Sequence, residues 1–458
     1  MRELSMNTIA ELVEWDKKHY LHPASVPKNQ FEQGPKLIFS EGRGIRVKDV
    51  HGDSYIDAVS MLWNVNVGHG ETELADIAHQ QMSKLAYGAS FFGFSNEPAI
   101  RLAEKIASIT PGDLNSIFYT SGGSESNDTA VKLARFYWHL KGRPQKQKII
   151  SLRNGYHGVT IGAQTLTGID GFRLFSGSKA NDVLQARAHL TDCELGDKSA
   201  ADYDHSVRAL IEREGADTIA AIILEPVQGA GGVRISPAGY LQAIRKLCDE
   251  FELLFIADEV ICGFGRTGKM FGVENWDVVP DMMSIAKGIT SGYAQLGGVV
   301  IREKIREEIA QYGYGLAHGF TYSGHPTACA VGLKNIELIE RYNLVANAKN
   351  MEHELRAGLA YLQDKHSIVA KSRALGLLSA FELMEDRDTD KPFSSDKMAG
   401  YAVAEECLKR KLIVRSINVL EGEHIVLIAP PLIITKQEIE EVITILDDSI
   451  AAFRKRLG

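Results

Sequence analysis

The sequence predicts an α/β protein, with a large domain built on a mainly parallel sheet and a smaller α+β domain beside it. Two observations carry this. Between about residues 99 and 301, short apolar strand patterns alternate with amphipathic helical ones, as in a sheet covered by helices on both faces. Several of those strand patterns also run into turns rich in glycine and reactive side chains. The carboxyl ends of strands are where such sheets gather ligands.

The elements follow in chain order. The stretch containing Glu3, Glu11, Glu14, Asp16, Lys17 and Lys18 reads as a short amphipathic helix in an N-terminal segment, 1–35. It lacks the apolar centre of a signal peptide. Residues 44–49 alternate, 50–53 form a turn and 55–59 resume, which is a β-hairpin pattern. Helix 99–109, strand 115–120 and helix 126–140 come next. Strands follow at 148–151, 219–224, 253–257, 282–285 and 296–301, with helices at 203–214 and 237–251 among them. After Pro326, two long helical patterns reach residues 343 and 362. The tail alternates strands (376–383, 425–428) with helices (398–410, 436–457). The large domain is therefore expected over 60–325, and the small α+β domain over 36–59 and 326–458.

Composition narrows the function. A chain of 458 residues holds about two domains of ordinary size. Its net charge of −8 is spread without a basic block, so nucleic-acid binding has no electrostatic support. Cys193, Cys248, Cys262, Cys329 and Cys407 lie far apart and form no Cys-x-x-Cys pair. Neither a disulfide framework nor a metal site is expected, and the cytoplasm is the natural compartment. No apolar run approaches the roughly 20 residues that span a bilayer, so no membrane association is expected.

The chemistry gathers at strand ends. Lys287 lies in Ser284-Ile285-Ala286-Lys287-Gly288-Ile289, after an apolar strand and among small residues. Leu253-Leu254-Phe255-Ile256-Ala257 ends in Asp258-Glu259-Val260. For either residue alone, a surface lysine or a strand-end aspartate is the ordinary reading. Together they fit pyridoxal phosphate, which needs a lysine to bond it and an acid to keep its pyridine nitrogen protonated. Thr120-Ser121-Gly122-Gly123-Ser124-Glu125 leads from a strand into an amphipathic helix. Close-approaching glycine backbone, the Ser124 hydroxyl and a helix N-terminus make a cup for one phosphate; a plain helix cap is the alternative. In Asn154-Gly155-Tyr156-His157-Gly158, Tyr156 could stack on a flat ring. Glu225, before the flexible loop 226–232, puts a carboxylate at the same rim. Gly263-Phe264-Gly265-Arg266-Thr267-Gly268 matches the dinucleotide pattern G-x-G-x-x-G, but no good helix pattern follows it. It reads as a glycine loop and not as a nucleotide site.

In this order, Ser-Gly-Gly-Ser-Glu, Tyr-His-Gly, Glu-Pro, Asp-Glu-Val, Gly-Phe-Gly-Arg-Thr-Gly and Ala-Lys-Gly resemble the class III aminotransferases, fold-type-I pyridoxal-phosphate enzymes. The resemblance covers nearly the whole chain. It implies that Lys287 carries the cofactor, Asp258 pairs with the pyridine nitrogen, Val260 packs under the ring and Tyr156 above it. Gly123 and Ser124 would hold the phosphate, with Glu225 in the same site. Thr321 matches a threonine that reaches the phosphate of a neighbouring subunit. This implies a homodimer with shared sites, or a tetramer containing it. Where the ornithine and γ-aminobutyrate members carry a glutamine this chain has Ile261, and Ser126 stands where the motif has alanine. The chain is more similar to the ω-amine or β-alanine:pyruvate branch, which implies a substrate pocket of Trp63, Tyr156, Ala230 and Arg415, with Phe91 from the partner chain. Arg415 also reads on its own terms. A guanidinium beside an apolar strand suits a two-point bond to a carboxylate, or else it faces water. The implied activity is ping-pong transfer of an amino group from an amine or ω-amino acid to a 2-oxo acid, pyruvate first. A taurine- or diamine-specific pyruvate aminotransferase, an aminomutase or decarboxylase on this fold, and a catalytically silent cofactor-binding regulator are the alternatives.

Overall fold

The computed structural model describes residues 6–176, 181–198, 201–417 and 422–457. Glu3 lies outside them.

A seven-stranded sheet forms the centre. Its strands are β1 (Leu114–Thr120), β2 (Lys148–Leu152), β3 (Val183–Ala186), β4 (Ile219–Leu224), β5 (Leu254–Asp258), β6 (Met282–Ile285) and β7 (Gly297–Arg302), in the spatial order β1-β7-β6-β5-β4-β2-β3. β7 runs antiparallel to both its neighbours, and the other pairings are parallel. Every residue of β4, β5 and β6 is buried. This is why the central strands read as unbroken apolar runs and not as alternating ones. Each large aliphatic side chain buried there contributes about 1.5–3 kcal/mol.

Register brings the reactive ends together. Asp258 pairs with Ser284 across β5 and β6, while Ala257 pairs with Leu224 on β4. Glu225, Asp258 and Lys287 consequently leave the sheet at one edge.

Helix α1 (Gly123–Leu140) follows β1 and starts three residues before the helix expected from periodicity. Its first turn, Gly123-Ser124-Glu125, is polar because it faces a cavity. Apolar periodicity therefore begins only behind it. Ser126 is buried under the sheet, where its Oγ meets Thr120 Oγ1 at 2.8 Å and donates to the Ile285 carbonyl at 3.2 Å. The half-exposed edge strand β3 gave no sequence pattern, and residues 203–205, expected as the first turn of helix 203–214, form a separate 3₁₀ turn before the α-helix Val207–Glu214.

The hairpin strands Arg46–Asp49 and Ser54–Asp57 pair as expected and join Leu412–Ile413 in a four-stranded sheet. A five-stranded antiparallel sheet from the C-terminal half contains β8 (Arg415–Ile417) and β9 (Ile425–Ile428), with Arg415 opposite Leu427. Helix α2 (Pro326–Arg341) packs behind the Lys287 turn. Among the described residues no helix is long and apolar enough to cross a membrane.

Candidate active site

Lys287 opens a 3₁₀ turn immediately after β6, with φ at +50° in the left-handed region. Bulky residues adopt that conformation only when their surroundings impose it. Here Asn335 on α2 donates its Nδ2 to the Gly288 and Ile289 carbonyls at 2.8 and 3.0 Å. A side chain on Gly288 would start 2.7 Å from Asn66 Nδ2, so only glycine fits beside the lysine. Lys287 Nζ sits 5.4 Å from the Trp63 ring centre, and no described residue hydrogen-bonds to it. Removal from water lowers its pKa to about 8, against the opposing pull of Asp258 and Glu225.

Asp258 is 3% exposed and firmly held. Its Oδ2 accepts Asn127 Nδ2 at 2.7 Å and His157 Nδ1 at 2.8 Å, and its Oδ1 accepts the Val260 amide at 3.1 Å. Asn127 also donates to the His157 carbonyl at 2.7 Å, which closes a small polar cage. Glu225 is buried behind it and accepts the amides of Tyr156 and Gly229 at 2.8 and 2.9 Å. Burial raises its pKa.

Gly123, Ser124, Tyr156, Glu225, Asp258, Val260 and Lys287 line one cavity, and Asn127, His157, Gly158 and Ile261 complete it. The mouth of α1 faces into it. The first amides of a helix have no carbonyl of their own helix to bond. A Cβ on Gly123 would lie 2.8 Å from Val260, whereas one on Gly122 would meet open space. Ser124 Oγ accepts the Val159 amide at 3.1 Å. An anion cup, an unpartnered amine, a caged carboxylate and a half-buried aromatic ring are the donor set that a phosphorylated pyridine aldehyde needs. The residues present fit that group.

The expected substrate residues divide. Arg415, on β8, lies with its Cζ 4.6 Å from the Trp63 ring centre, so the Trp63 ring is a shelf for both Arg415 and Lys287. Among the described residues no carboxylate forms an ion pair with Arg415, and burial lowers its pKa. Tyr156 packs edge-on against Phe172 at 5.2 Å. Ala230 is buried in the loop beside Ile261. Phe91 and Thr321 stand apart. Phe91 packs on Gly319 and lines a different and larger cavity of about 820 Å³, which holds no other expected site residue. Thr321 is exposed, and its carbonyl accepts the Tyr87 hydroxyl at 2.8 Å.

A family model described as Aminotransferase class-III matches residues 29–450. The chain is a class-III aminotransferase. A putrescine–pyruvate aminotransferase of Pseudomonas aeruginosa is 37% identical over 98% of this chain and 99% of its own length. Among solved structures, a transaminase from the marine bacterium Virgibacillus has a TM-score of 0.94 at 49% identity, covering 98% of this chain and 100% of that one. An (S)-enantioselective ω-transaminase from Thermomicrobium roseum has a TM-score of 0.90 at 39% identity, covering 98% of both chains. The fold is accordingly that of the fold-type-I transferases.

Sequence reasoning did not assign two contacts that the aminotransferase makes. Asn127 and His157 hold Asp258; His157 lies in the Tyr-His-Gly motif and Asn127 two residues past Ser-Gly-Gly-Ser-Glu. The available signal was a polar side chain within four residues of a glycine in each stretch. The G-x-G-x-x-G stretch forms turns leading to a 3₁₀ helix at Gly272–Trp276, as a non-nucleotide loop should.

Proposed function

We propose that this aminotransferase moves an amino group from an amine or ω-amino acid to a 2-oxo acid, pyruvate first, with pyridoxal phosphate as cofactor. The observation that carries the reading is the unpartnered, half-buried Lys287 amine in one cavity with caged Asp258 and the mouth of α1. Bound there, pyridoxal phosphate supplies an electron sink and a carrier for the amino group. Gly123 and Ser124 bind its phosphate, Tyr156 and Val260 cover its ring, and Glu225 fixes the Tyr156 backbone. Asp258 provides the negative charge that keeps a pyridine nitrogen protonated. Lys287 Nζ removes a proton from the amine-bearing carbon of the donor, and in the second half of the cycle it delivers one to the acceptor's carbon. The two half-reactions share one site, hence ping-pong kinetics.

Arg415 binds the acceptor's carboxylate above Trp63, with Tyr156 and Ala230 as further walls. In the working homodimer, the partner subunit's Phe91 and the partner subunit's Thr321 complete the pocket and the phosphate site. Support comes from the cavity lining, which includes neither residue, and from exposed neighbours such as Phe92, which is 93% exposed. We take residues 60–325 as the cofactor-binding domain and 36–59 with 326–458 as the smaller one. Five free, buried cysteines suit reducing cytoplasm. The name of the Pseudomonas aeruginosa relative makes a diamine the first donor to test.

The test is a donor panel. Holoenzyme mixed with putrescine, β-alanine, taurine or 1-phenylethylamine should lose its visible absorbance with at least one of them. Pyruvate should then restore it and yield one alanine per site. Release of the amine's carbon dioxide, or alanine from no donor, would sink the proposal.

A further inference from the structure

The loop Gly263-Phe264-Gly265-Arg266-Thr267-Gly268 has no part in the reaction as derived above, yet it contains a fully buried guanidinium. Arg266 makes only neutral contacts among the described residues. Its Nη1 donates to the carbonyls of Leu377 and Pro430 at 3.1 and 2.5 Å. Its Nη2 donates to Ser60 Oγ and Asn66 Oδ1, both at 3.0 Å. Nε has no partner. Asp57 attracts it through space without a hydrogen bond. Burying a cation that forms no contact ion pair is still disfavoured, so four well-placed acceptors imply a demand for the geometry they fix.

Three of the four acceptors, Ser60, Asn66 and Pro430, lie on or next to the two structures that form the Arg415–Trp63 contact, and Leu377 lies in a turn of the same five-stranded sheet. Ser60 and Asn66 bracket Trp63 in a turn where Ser60, Met61 and Trp63 have φ of +47°, +57° and +59°. Such a turn persists only when neighbours over-determine it. Pro430 follows β9, whose Leu427 is the register partner of Arg415. Ser60 Oγ also donates to the Ala429 carbonyl at 2.8 Å, and the Ala429 amide donates to the Ala58 carbonyl at 2.7 Å. One guanidinium thus clasps the Trp63 turn to the end of the strand that registers Arg415.

The Lys287 turn has separate support. Asn335 fixes Gly288 and Ile289, and Asn66 keeps its own bond from Nδ2 to the Phe264 carbonyl at 2.9 Å.

We infer that Arg266 is a positioning residue for the acceptor's carboxylate, holding the Trp63 shelf against the strand that carries Arg415 and so setting affinity for the 2-oxo acid. This rests on the reading that Arg415 binds that carboxylate.

The test compares holoenzyme half-reactions of wild type, Arg266→Lys and Arg266→Met. Lysine keeps the charge but cannot span all four acceptors, and it serves if the methionine variant does not fold. The pyruvate concentration for half-maximal rate should rise about tenfold, the scale of one weakened charged hydrogen bond. The saturating rate constant, and the half-reaction with a carboxylate-free amine, should stay within about twofold, below the worth of any such bond. In an Arg415→Ala background, Arg266→Lys should raise the pyruvate requirement no further, because partners in one interaction are not additive. Equal losses in both half-reactions, an additive double variant, or an unchanged pyruvate requirement in folded Arg266→Lys would each overturn the inference. The wild-type pyruvate half-reaction, run alongside, judges the pyruvate reading separately.

Discussion

The two ends of the central sheet each hold a buried or half-buried lysine whose pKa burial draws down to about 8. At the amino ends of β4 and β5, Lys146 is 0% exposed. Its Nζ donates to the carbonyls of Ala216, Ile219 and Glu252 at 2.9, 3.1 and 2.9 Å, over the Trp138 ring at 4.5 Å. At the carboxyl ends, Lys287 Nζ has a tryptophan face at 5.4 Å and no described hydrogen-bond acceptor. Burial and a lowered pKa are common to both, so they do not mark a catalytic lysine. The difference lies in the partners. Three carbonyls saturate the Lys146 ammonium and make it a brace, whereas the sheet leaves Lys287 free to bond something else. Arg266 and Arg415 repeat the contrast. The first has four acceptors for its two Nη groups, and the second lies over Trp63 with no ion pair among the described residues.

Exchanging the outcomes at the two lysines gives the largest test. Lys287→Ala should lower kcat by about three orders of magnitude, the scale of lost general acid–base catalysis, and the apo variant should melt no lower than apo wild type. Lys146→Met should do the reverse, keeping kcat while urea unfolding reports a loss of about 2–4 kcal/mol as buried carbonyls lose their donor. Equal stability losses at both sites would break the distinction.

The free arginine gives the next effect. Arg415→Ala should reduce kcat/KM for pyruvate by about one to two orders of magnitude, equivalent to a charged hydrogen bond of 1.5–3 kcal/mol. The half-reaction with a carboxylate-free amine should barely change, as measured by stopped-flow absorbance. Equal losses in both would make Arg415 a structural residue and not the anchor of the acceptor's carboxylate.

A pH shift sharpens the comparison further. Only the deprotonated amine is nucleophilic, and a lowered pKa makes it available at lower pH. Capture of pyridoxal phosphate by the apo protein should therefore accelerate as pH rises and level off just above 8, following Lys287. A midpoint near the ordinary lysine value of about 10.4 would show that the cavity does not desolvate this side chain.

Much of this was legible in the sequence, for physical reasons that also set the limits. β4, β5 and β6 could be read because full burial on both faces leaves no polar residue to interrupt the apolar run. The glycine at the mouth of α1 could be read because the chain passes too close to Val260 for a side chain at Gly123. The true start of α1 could not, since its first turn is polar by virtue of facing the cavity. The cage around Asp258 needs partners 131 and 101 residues away, and the Arg266 clasp needs Leu377 and Pro430, 111 and 164 residues away. No local spacing encodes those meetings. The proposed contributions of Phe91 and Thr321 need a second chain and are not visible within one.

The central claim is that Lys287, the lysine with no hydrogen-bond partner among the described residues, carries the cofactor. Borohydride reduction of the pyridoxal-phosphate-loaded protein, followed by proteolysis and mass spectrometry, tests it most directly. The label should fall on the peptide containing Lys287, with one cofactor per chain and none at Lys146. An active protein labelled at any other lysine, with Lys287 unmodified, would contradict it.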